Sequence, residues 1–150
     1  MLEIRHFSKT YTGGKKAVED LNLTVEAGSI YGFIGHNGAG KTTTLRSVAG
    51  ILDFEEGEIL IDGHDLRKDP IAAKRLTAFL PDNPDLYDFL TGISYLTFIA
   101  DLYSIPKGTR QELIGKYADA FELTGALGSP IAGYSHGMKQ KLALITALIR

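Results

Sequence analysis

The residues best suited to chemistry lie in one short segment, residues 35–43, which reads Gly-His-Asn-Gly-Ala-Gly-Lys-Thr-Thr. It fits the phosphate-binding pattern G-x-x-x-x-G-K-[ST], with Gly35, Gly40, Lys41 and Thr42 at the fixed positions. Glycines suit such a loop because backbone N–H groups surround a phosphate only where no Cβ intervenes. A lysine ammonium suits the β- and γ-phosphates of a nucleotide, and a threonine hydroxyl suits Mg²⁺. The segment, which we call the phosphate loop, therefore predicts a nucleotide site.

The residues on either side of the phosphate loop predict the elements that position it. Residues 30–34 form a short apolar run, Ile-Tyr-Gly-Phe-Ile, which is typical of a buried parallel strand. Residues 41–50 predict a helix that ends at Gly50 and directs its N-terminal dipole at the bound anion. The alternative is a glycine-rich turn that binds nothing, but the pattern, the strand and the helix together favour the phosphate-binding function.

Alternation of apolar and polar residues predicts three more strands in the first third of the chain. Residues 2–6 alternate, with His6 as a third candidate for the buried face after two aliphatic residues. Residues 12–16 predict a turn, and residues 21–25 a second half-exposed strand. Residues 58–62 predict a strand closed by the turn pair Asp-Gly at 62–63. We therefore expect an antiparallel sheet beside a parallel one.

The pattern of the remaining residues predicts mainly helix. Asp69 and Pro70 predict an N-cap and a first helical position, so a short helix should cover 70–76. Residues 77–80 form a second apolar strand candidate, stopped by a proline. A further helix is predicted over 93–103. The next begins at a capping box formed by Thr109 and Glu112 and continues through Leu113 and Tyr117 to Phe121. Residues 124–133 predict a loop, and a last helix starts near Ser135.

Tyr11 lies in a predicted loop between two strands, 24 residues before Gly35. An aromatic ring at such a position usually serves packing. Beside a nucleotide loop it also suits stacking on an adenine, because a planar ring supplies contact area and π interaction. The presence of the phosphate loop favours stacking.

Asp82 follows the apolar run 77–80 and is flanked by Pro81 and Pro84, which fix an extended path. A carboxylate at the end of a strand near a Mg²⁺–phosphate site suits the metal, directly or through water. A turn or capping aspartate is the equally weighted alternative.

The stretch from Tyr134 to Gln140 opens the last predicted helix. A Ser135 hydroxyl, a Gly137 N–H and a helix N-terminus together suit a second anion, although a plain serine N-cap explains Ser135 equally well. The histidines have no partners at metal-ligand spacing and are interpreted as loop residues; they are His36, His64 and His136.

Composition excludes several classes of protein. Hydrophobic residues make up 44% and charged residues 23% of the chain, which is ordinary for a globular domain. The net charge of −2 argues against a nucleic-acid-binding surface, so we expect no nucleic acid partner. The absence of cysteine excludes disulfides and thiolate metal sites. No apolar run approaches the ~20 residues that span a bilayer.

The chain resembles the ATP-binding domain of an ABC transporter over nearly its whole length. Residues 35–43 resemble the family's phosphate loop, and Tyr11 sits where the family has its adenine-stacking aromatic. Residues 134–138 resemble its signature, Leu-Ser-Gly-Gly-Gln, and residues 82–133 resemble its inserted helical subdomain. The continuation Gly-Met-Lys-Gln is similar to a branch that contains many exporters.

The resemblance implies an α/β fold: a P-loop NTPase core with an antiparallel β subdomain and an inserted helical subdomain. The division is expected at 1–81 and 82–150. The residues that the resemblance assigns to ATP are Tyr11, Gly35, His36, Asn37, Gly38, Ala39, Gly40, Lys41, Thr42 and Thr43. It assigns Mg²⁺ to Thr42 and Asp82. It assigns the γ-phosphate of a partner's ATP to the signature residues Ser135, His136, Gly137 and Met138.

Several positions depart from the family pattern. Asp82 stands in place of a glutamine, and in the signature Tyr134, His136 and Met138 replace leucine, the first glycine and glutamine. The family's acidic strand, its catalytic glutamate and its switch histidine follow the signature helix. We therefore expect no catalytic residue within 1–150, a domain incomplete at its C-terminus, and nucleotide binding without hydrolysis by these residues alone.

The implied function is that of the ATP-binding motor subunit of a transporter, an ATPase in the intact protein. ATP and Mg²⁺ are its expected cofactors. Its expected partners are a second ATP-binding domain, in a dimer, and an integral membrane subunit, which places it in the cytoplasm at the inner face of the cell membrane. The apolar cluster Leu86, Tyr87, Phe89 and Leu90 is either core or the surface that receives a helix of the membrane subunit.

Two alternatives stay open from the sequence. The first is a soluble ABC-type ATPase that acts without a membrane subunit. The second is a phosphate-loop kinase or GTPase, against which the signature-like stretch argues. The sequence indicates neither the transported substrate nor the direction of transport.

Overall fold

The computed structural model describes residues Met1 to Arg150 and divides them into two compact units, Met1–Ala78 and Phe79–Arg150. The first unit is a sheet with two helices, and the second is helical. The strands are β1 (Leu2–Tyr11), β2 (Lys15–Val25), β3 (Glu56–Ile61) and β4 (His64–Asp65). The helices are α1 (Lys41–Val48), α2 (Pro70–Arg75), α3 (Gly92–Leu102), α4 (Lys107–Ala120) and α5 (His136–Leu148), with 3₁₀ turns at Thr124–Ala126 and Ile131–Gly133.

The first unit is built on an antiparallel sheet in the order β2-β1-β3-β4, which confirms the predicted antiparallel subdomain. The predicted turn at Asp62 and Gly63 is also confirmed. Both residues have positive φ, 48° and 82°, as a two-residue turn needs when its twist must match that of the strands. One face of the sheet carries the core of this unit, formed by Ile4, Phe7, Phe54, Ile59, Ile61, Leu66 and Ala73.

The buried face of β1 differs from simple alternation at one position. His6 is exposed and has a φ of 51°, where the register between β1 and its neighbours shifts, and Phe7 takes the buried place instead. The His6 Nδ1 atom lies 2.8 Å from the Asp20 carboxylate on β2. The assignment of His6 to the buried face was therefore wrong, because a bulge in β1 moves the pattern by one residue.

The two predicted parallel strands, 30–34 and 77–80, are not formed. Neither segment has strand geometry, and every strand pair in the structure is antiparallel. Ile30 and Ile34 are almost fully exposed. An apolar run becomes a strand only where another segment supplies hydrogen bonds, and no segment of this chain pairs with either run.

The predicted start of α2 is confirmed in detail. The helix begins at Pro70, and the Asp69 carboxylate accepts a hydrogen bond from the Ala72 N–H at 3.4 Å. Proline suits this position because its missing N–H would have no helical partner there.

The second unit packs α3, α4 and α5 around one apolar core. Its fully buried residues include Leu96 on α3, Ala118 on α4 and Leu142 on α5. The predicted capping box at Thr109 and Glu112 was wrong, because α4 already begins at Lys107. The Arg110 N–H donates to the Pro106 carbonyl at 2.9 Å, so Thr109 lies inside the first turn.

Candidate phosphate-binding site

The phosphate loop is fixed in place where it enters α1. Gly38 and Gly40 have φ values of 88° and 83°, a region that favours glycine. A Cβ on Gly40 would lie 2.4 Å from the Ala17 carbonyl oxygen and 2.8 Å from the Val18 side chain, both on β2. The loop therefore packs its backbone directly against the β1–β2 hairpin, which only glycine at position 40 permits.

The first turn of α1 presents unpaired N–H groups to the loop. Gly40 is the N-cap, and the first helical bond runs from the Thr44 N–H to the Gly40 carbonyl at 2.8 Å. No acidic residue lies in the first turn, so the positive end of the helix dipole has no compensating carboxylate there. The free amides and the dipole together make this helix end suitable for an anion.

Three consecutive threonines follow Lys41, and the structure separates their roles. The Thr44 hydroxyl donates to the Gly40 carbonyl at 3.0 Å, within the helix. The Thr43 hydroxyl lies 3.0 Å from the Tyr11 hydroxyl. The Thr42 hydroxyl has no hydrogen-bond partner in the protein, and its residue is exposed. Thr42 is thus the threonine whose oxygen is available to a ligand.

The Lys41 ammonium folds back over the loop. It donates hydrogen bonds to the carbonyl oxygens of Gly35 and His36, the latter at 2.7 Å. The His36 carbonyl also accepts from the Ala39 N–H at 3.1 Å, which closes the loop on itself. Lys41 is therefore bound by neutral carbonyls rather than by a carboxylate, so its charge is not neutralised within the protein.

The loop and the hairpin together line a cleft of about 260 Å³. The hairpin contributes Tyr11, Lys15, Lys16 and Ala17, and the loop contributes Asn37, Gly38, Gly40, Lys41, Thr42 and Thr43. The prediction that Tyr11 lies in a loop was wrong, since it is the last residue of β1. Its ring nevertheless lies in the same cleft as the phosphate loop, tied there by Thr43.

Sequence reasoning missed the residues that β2 adds to this cleft. Tyr11 pairs directly with Lys15 in the β1–β2 register. Side chains of directly opposed residues in an antiparallel pair lie on the same face, so an aromatic residue in the cleft implies that its cross-strand partner lies there too. The turn at 12–14 could have identified these residues, because it sets the register that pairs Tyr11 with Lys15.

A metal at this cleft would depend on ligands from a bound phosphate. No group of three or more His, Cys, Asp or Glu side chains suited to a metal occurs in the structure. Mg²⁺ fits such a site, because it keeps waters and substrate oxygens and takes only one or two protein ligands. The unpartnered Thr42 hydroxyl is an oxygen donor of the required kind.

The signature-like stretch in the second unit forms a capped helix start. The Ser135 hydroxyl accepts from the Met138 N–H at 3.3 Å, which confirms the serine N-cap. Ser135, His136 and Gly137 are exposed, and a Cβ on Gly137 would point into open space. Met138 packs against the helical core instead. Three of the four predicted residues are thus accessible, and the fourth serves packing.

Tyr134, at the position where the signature has leucine, is buried, and its hydroxyl has a hydrogen-bond partner. Its hydroxyl donates to the Ala126 carbonyl at 2.6 Å, and burial raises the pKa of Tyr134. Room for the larger ring comes from α3, where a Cβ on Gly92 would lie 2.3 Å from the Tyr134 hydroxyl. The departure from leucine is therefore accommodated by a glycine 42 residues earlier in the chain.

Asp82 lies in the second unit, in an exposed bend. The Gln140 side chain of α5 donates to the Asp82 backbone carbonyl at 3.2 Å. Six residues later the Asp88 carboxylate forms an ion pair with Lys139 of α5 at 2.8 Å. The start of α5 thus holds the segment that contains Asp82, and the Asp82 carboxylate faces solvent.

The apolar cluster at 86–90 divides between core and surface. Leu86 and Leu90 pack against the helical core. Tyr87 and Phe89 are exposed, the latter to 82%, and their rings stack with centroids 5.9 Å apart. The core interpretation therefore applies to Leu86 and Leu90, and the Tyr87–Phe89 pair lies on the surface.

Similarity to known proteins identifies the family of this chain. The sequence matches the family model described as ABC transporter over residues 18–150. The chain belongs to the ABC transporter family. It is 34% identical over 99% of its length to the uncharacterized ABC transporter ATP-binding protein YhcH of Bacillus subtilis, covering 48% of that protein. It is 36% identical to the ABC transporter ATP-binding protein NatA of the same organism, over 89% of this chain and 55% of that protein.

Solved structures agree with this assignment. The structure of an ATP-binding subunit of an ABC transporter superposes with a TM-score of 0.92 at 32% identity, over 99% of this chain and 62% of that one. CbiO1 of Clostridium perfringens, described as part of the ABC transporter complex cbiONQ, gives a TM-score of 0.83 at 21% identity, over 99% of this chain and 61% of that one. The latter match supports the fold alone. The fold class predicted from the sequence is confirmed.

The chain spans about half the length of the bacterial ATP-binding proteins it matches. None of its helices has the length and apolar character needed to cross a membrane.

Proposed function

We propose that this protein is the ATP-binding motor subunit of a membrane transporter. The observation that carries the proposal is the cleft in which Tyr11, Lys41 and Thr42 meet the N-terminus of α1. Backbone amides, one unneutralised ammonium and an aromatic ring are the complement of a nucleoside triphosphate. Membership of the ABC transporter family narrows that ligand to ATP.

Each residue of the cleft has a separate task in this proposal. Lys41 would exchange its two carbonyl partners for the β- and γ-phosphates, which are stronger acceptors because they are charged. Thr42 would hold Mg²⁺, which neutralises phosphate charge when bound. Tyr11 would stack on the adenine, and its hydrogen bond to Thr43 fixes the ring relative to the loop. The amides of Gly38 and of residues 40–43 would bind phosphate oxygens, whereas the Ala39 N–H donates to the His36 carbonyl.

The signature residues would act on the ATP of a second subunit. Ser135, His136 and Gly137 stand exposed at the start of α5, whose first turn contains no acidic residue. In a head-to-tail dimer, the Ser135 hydroxyl and the Gly137 N–H would contact the γ-phosphate held by the partner's phosphate loop. Binding of ATP would then close the dimer, and its hydrolysis would open it.

The exposed aromatic pair Tyr87 and Phe89 supports a membrane-subunit partner. Stacked rings exposed on the surface of a helical unit suit an apolar helix from another chain. In this proposal the protein lies in the cytoplasm at the inner face of the membrane.

Residues 1–150 hold the phosphates but supply no base for the attacking water, so hydrolysis would need residues outside them.

Calorimetric titration with MgATP tests the proposal. Lys41→Ala removes the mobile cation of the phosphate loop, and the loss of a charged hydrogen bond costs about 1.5–3 kcal/mol, or roughly tenfold to a hundredfold in affinity. Lys74→Ala, on exposed α2, is the matched control and should bind like the parent. Equal affinity of the Lys41→Ala variant and the parent would rule out the assigned role.

The role proposed for Asp82 has its own test in the full-length protein. If the carboxylate meets Mg²⁺ through water, Asp82→Ala should lower ATP turnover and Asp82→Gln should preserve it. Phosphate release measured at saturating ATP gives the answer. An alanine variant as active as the parent would make Asp82 a turn residue, held at its carbonyl by Gln140 alone.

A further inference from the structure

The proposed function leaves two cations of the cleft without a task, Lys15 and Lys16, and the one without an ion-pair partner is Lys15. It is exposed, it lines the cleft, and its ammonium forms no hydrogen bond or ion pair with the protein. It also follows directly after the turn at 12–14, in which the Gly14 N–H donates to the Tyr11 carbonyl at 3.0 Å. That turn holds the lysine backbone at a fixed place beside the cleft.

The strand register places Lys15 on the same face as Tyr11. The two residues are direct cross-strand partners, so their Cβ atoms lie about 4.5–5.5 Å apart. The hydrogen bond between the Tyr11 and Thr43 hydroxyls shows that this face is directed at the first turn of α1. Lys15 therefore enters the cleft from the aromatic end, whereas Lys41 lies in the phosphate loop itself.

The adjacent lysine has a partner that Lys15 lacks. Lys16 forms an ion pair with the Glu19 carboxylate, and that hydrogen bond, with the charge of Glu19, raises the pKa of Lys16. Lys16 also lines the cleft, but its ammonium is already paired with a carboxylate there. Of the two neighbouring cations, one is neutralised locally and the other is not.

We propose that Lys15 is a second phosphate-binding residue of this site, whose ammonium contacts the phosphate next to the ribose while Lys41 serves the terminal phosphates. The inference rests on the proposed ATP site, with the base against Tyr11. A base stacked there puts the first phosphate of the chain nearest to Lys15. The cation would then contribute equally to ATP, ADP and AMP and nothing to adenosine.

Competition against a fluorescent ATP analogue, in the full-length protein, measures the four ligands for each variant. We expect Lys15→Gln to weaken ATP, ADP and AMP by a similar factor, about threefold to tenfold, because the lysine is solvent-exposed and a charged contact is screened there. Adenosine should bind as in the parent. The difference should shrink at high salt, because screening weakens an exposed charge pair.

Two variants provide the controls. Lys74→Gln removes an equal charge from an exposed position of α2, outside the cleft, and should stay within about twofold of the parent for every ligand. Lys15→Arg keeps the charge and should retain most of the affinity. Circular dichroism of each variant establishes that the sheet is intact.

Each other result has a definite meaning. A Lys15→Gln variant that binds every nucleotide like the parent, while Lys41→Ala loses affinity, would overturn the role of Lys15 and leave the ATP site standing. Equal losses for adenosine would mean that Lys15 packs on the base. A loss for ATP alone, or the same loss in Lys74→Gln, would also contradict the placement. A parent protein that binds none of the four would overturn the ATP site as well.

Discussion

The contact between Gly40 and β2 yields the sharpest prediction about the phosphate loop. Gly40→Ala places a methyl group 2.4 Å from the Ala17 carbonyl oxygen, about 0.6 Å inside the 3.0 Å below which real Cβ contacts hardly occur. Gly38→Ala is the matched control. Its φ of 88° is as positive as the 83° of Gly40, but open space surrounds its Cβ position.

The two variants share one energetic term and differ in another. Left-handed backbone costs an alanine roughly 1–2 kcal/mol relative to glycine, so both should lose about that much stability. Forcing a methyl group into a packed contact adds about 1–3 kcal/mol, and this applies only at Gly40. We therefore expect Gly40→Ala to lower the free energy of unfolding by about 2–5 kcal/mol, and Gly38→Ala by about 1–2 kcal/mol.

Urea denaturation followed by circular dichroism gives the two free energies, and hydrogen exchange locates the change. Amides of α1 should lose protection in Gly40→Ala, whereas those of α5, in the second unit, should keep it. Equal destabilisation by the two variants would refute the reasoning, because it would mean that α1 moves away from β2 without penalty.

Two further predictions concern packing and charge elsewhere in the chain. Gly92→Ala should lower the melting temperature, because overpacking against Tyr134 costs about 1–3 kcal/mol. Gly115→Ala, in the middle of α4 where a Cβ meets open space, should raise the melting temperature through about 0.5–1 kcal/mol of helix propensity. A shift in the same direction for both variants would contradict the contact between Gly92 and Tyr134. Burial opposes ionisation of Asp65, but two backbone N–H groups and the Lys68 ammonium outweigh it and hold the Asp65 pKa below its usual range. Its stabilising contribution is therefore full above about pH 4 and is lost as the pH falls through the depressed pKa, so acid unfolding of Asp65→Asn should show a shallower pH dependence in that range than that of the parent.

Features encoded by neighbouring residues were predictable from the sequence. The Asp62-Gly63 turn, the Asp69-Pro70 helix start and the Ser135 cap all depend on hydrogen bonds or φ values within four residues. The phosphate loop belongs to the same class, since its glycines and the helix that follows are contiguous. Such signals need no knowledge of the rest of the fold.

Features that depend on distant segments were not predictable. Residues 30–34 are apolar like a buried strand, but their state depends on a pairing partner, and none occurs here. The exposure of His6 depends on a bulge set by β1 and both of its neighbours. Lys15 enters the cleft only through the hairpin register. In each case the contact that decides the structure comes from a segment distant in the sequence.

The phosphate loop shows how these two kinds of information combine in a site. Its C-terminal half is held from outside: Gly40 packs on β2, and Thr43 bonds to Tyr11 on β1. Its N-terminal half follows the exposed run 30–34 and is held only from within, by the Lys41 bonds to Gly35 and His36.

In the proposed site, the lysine that closes the loop would also carry the charge for phosphate. A nucleotide bound to the Lys41 ammonium would have to replace two carbonyl contacts, and it would do so with charged oxygens that bind an ammonium more strongly. The half of the loop that is anchored to the sheet holds the helix N-terminus and Thr42, and these groups are already in place before that exchange. In the proposed site, binding would thus release the N-terminal half of the loop from Lys41, while the sheet keeps the C-terminal half in position.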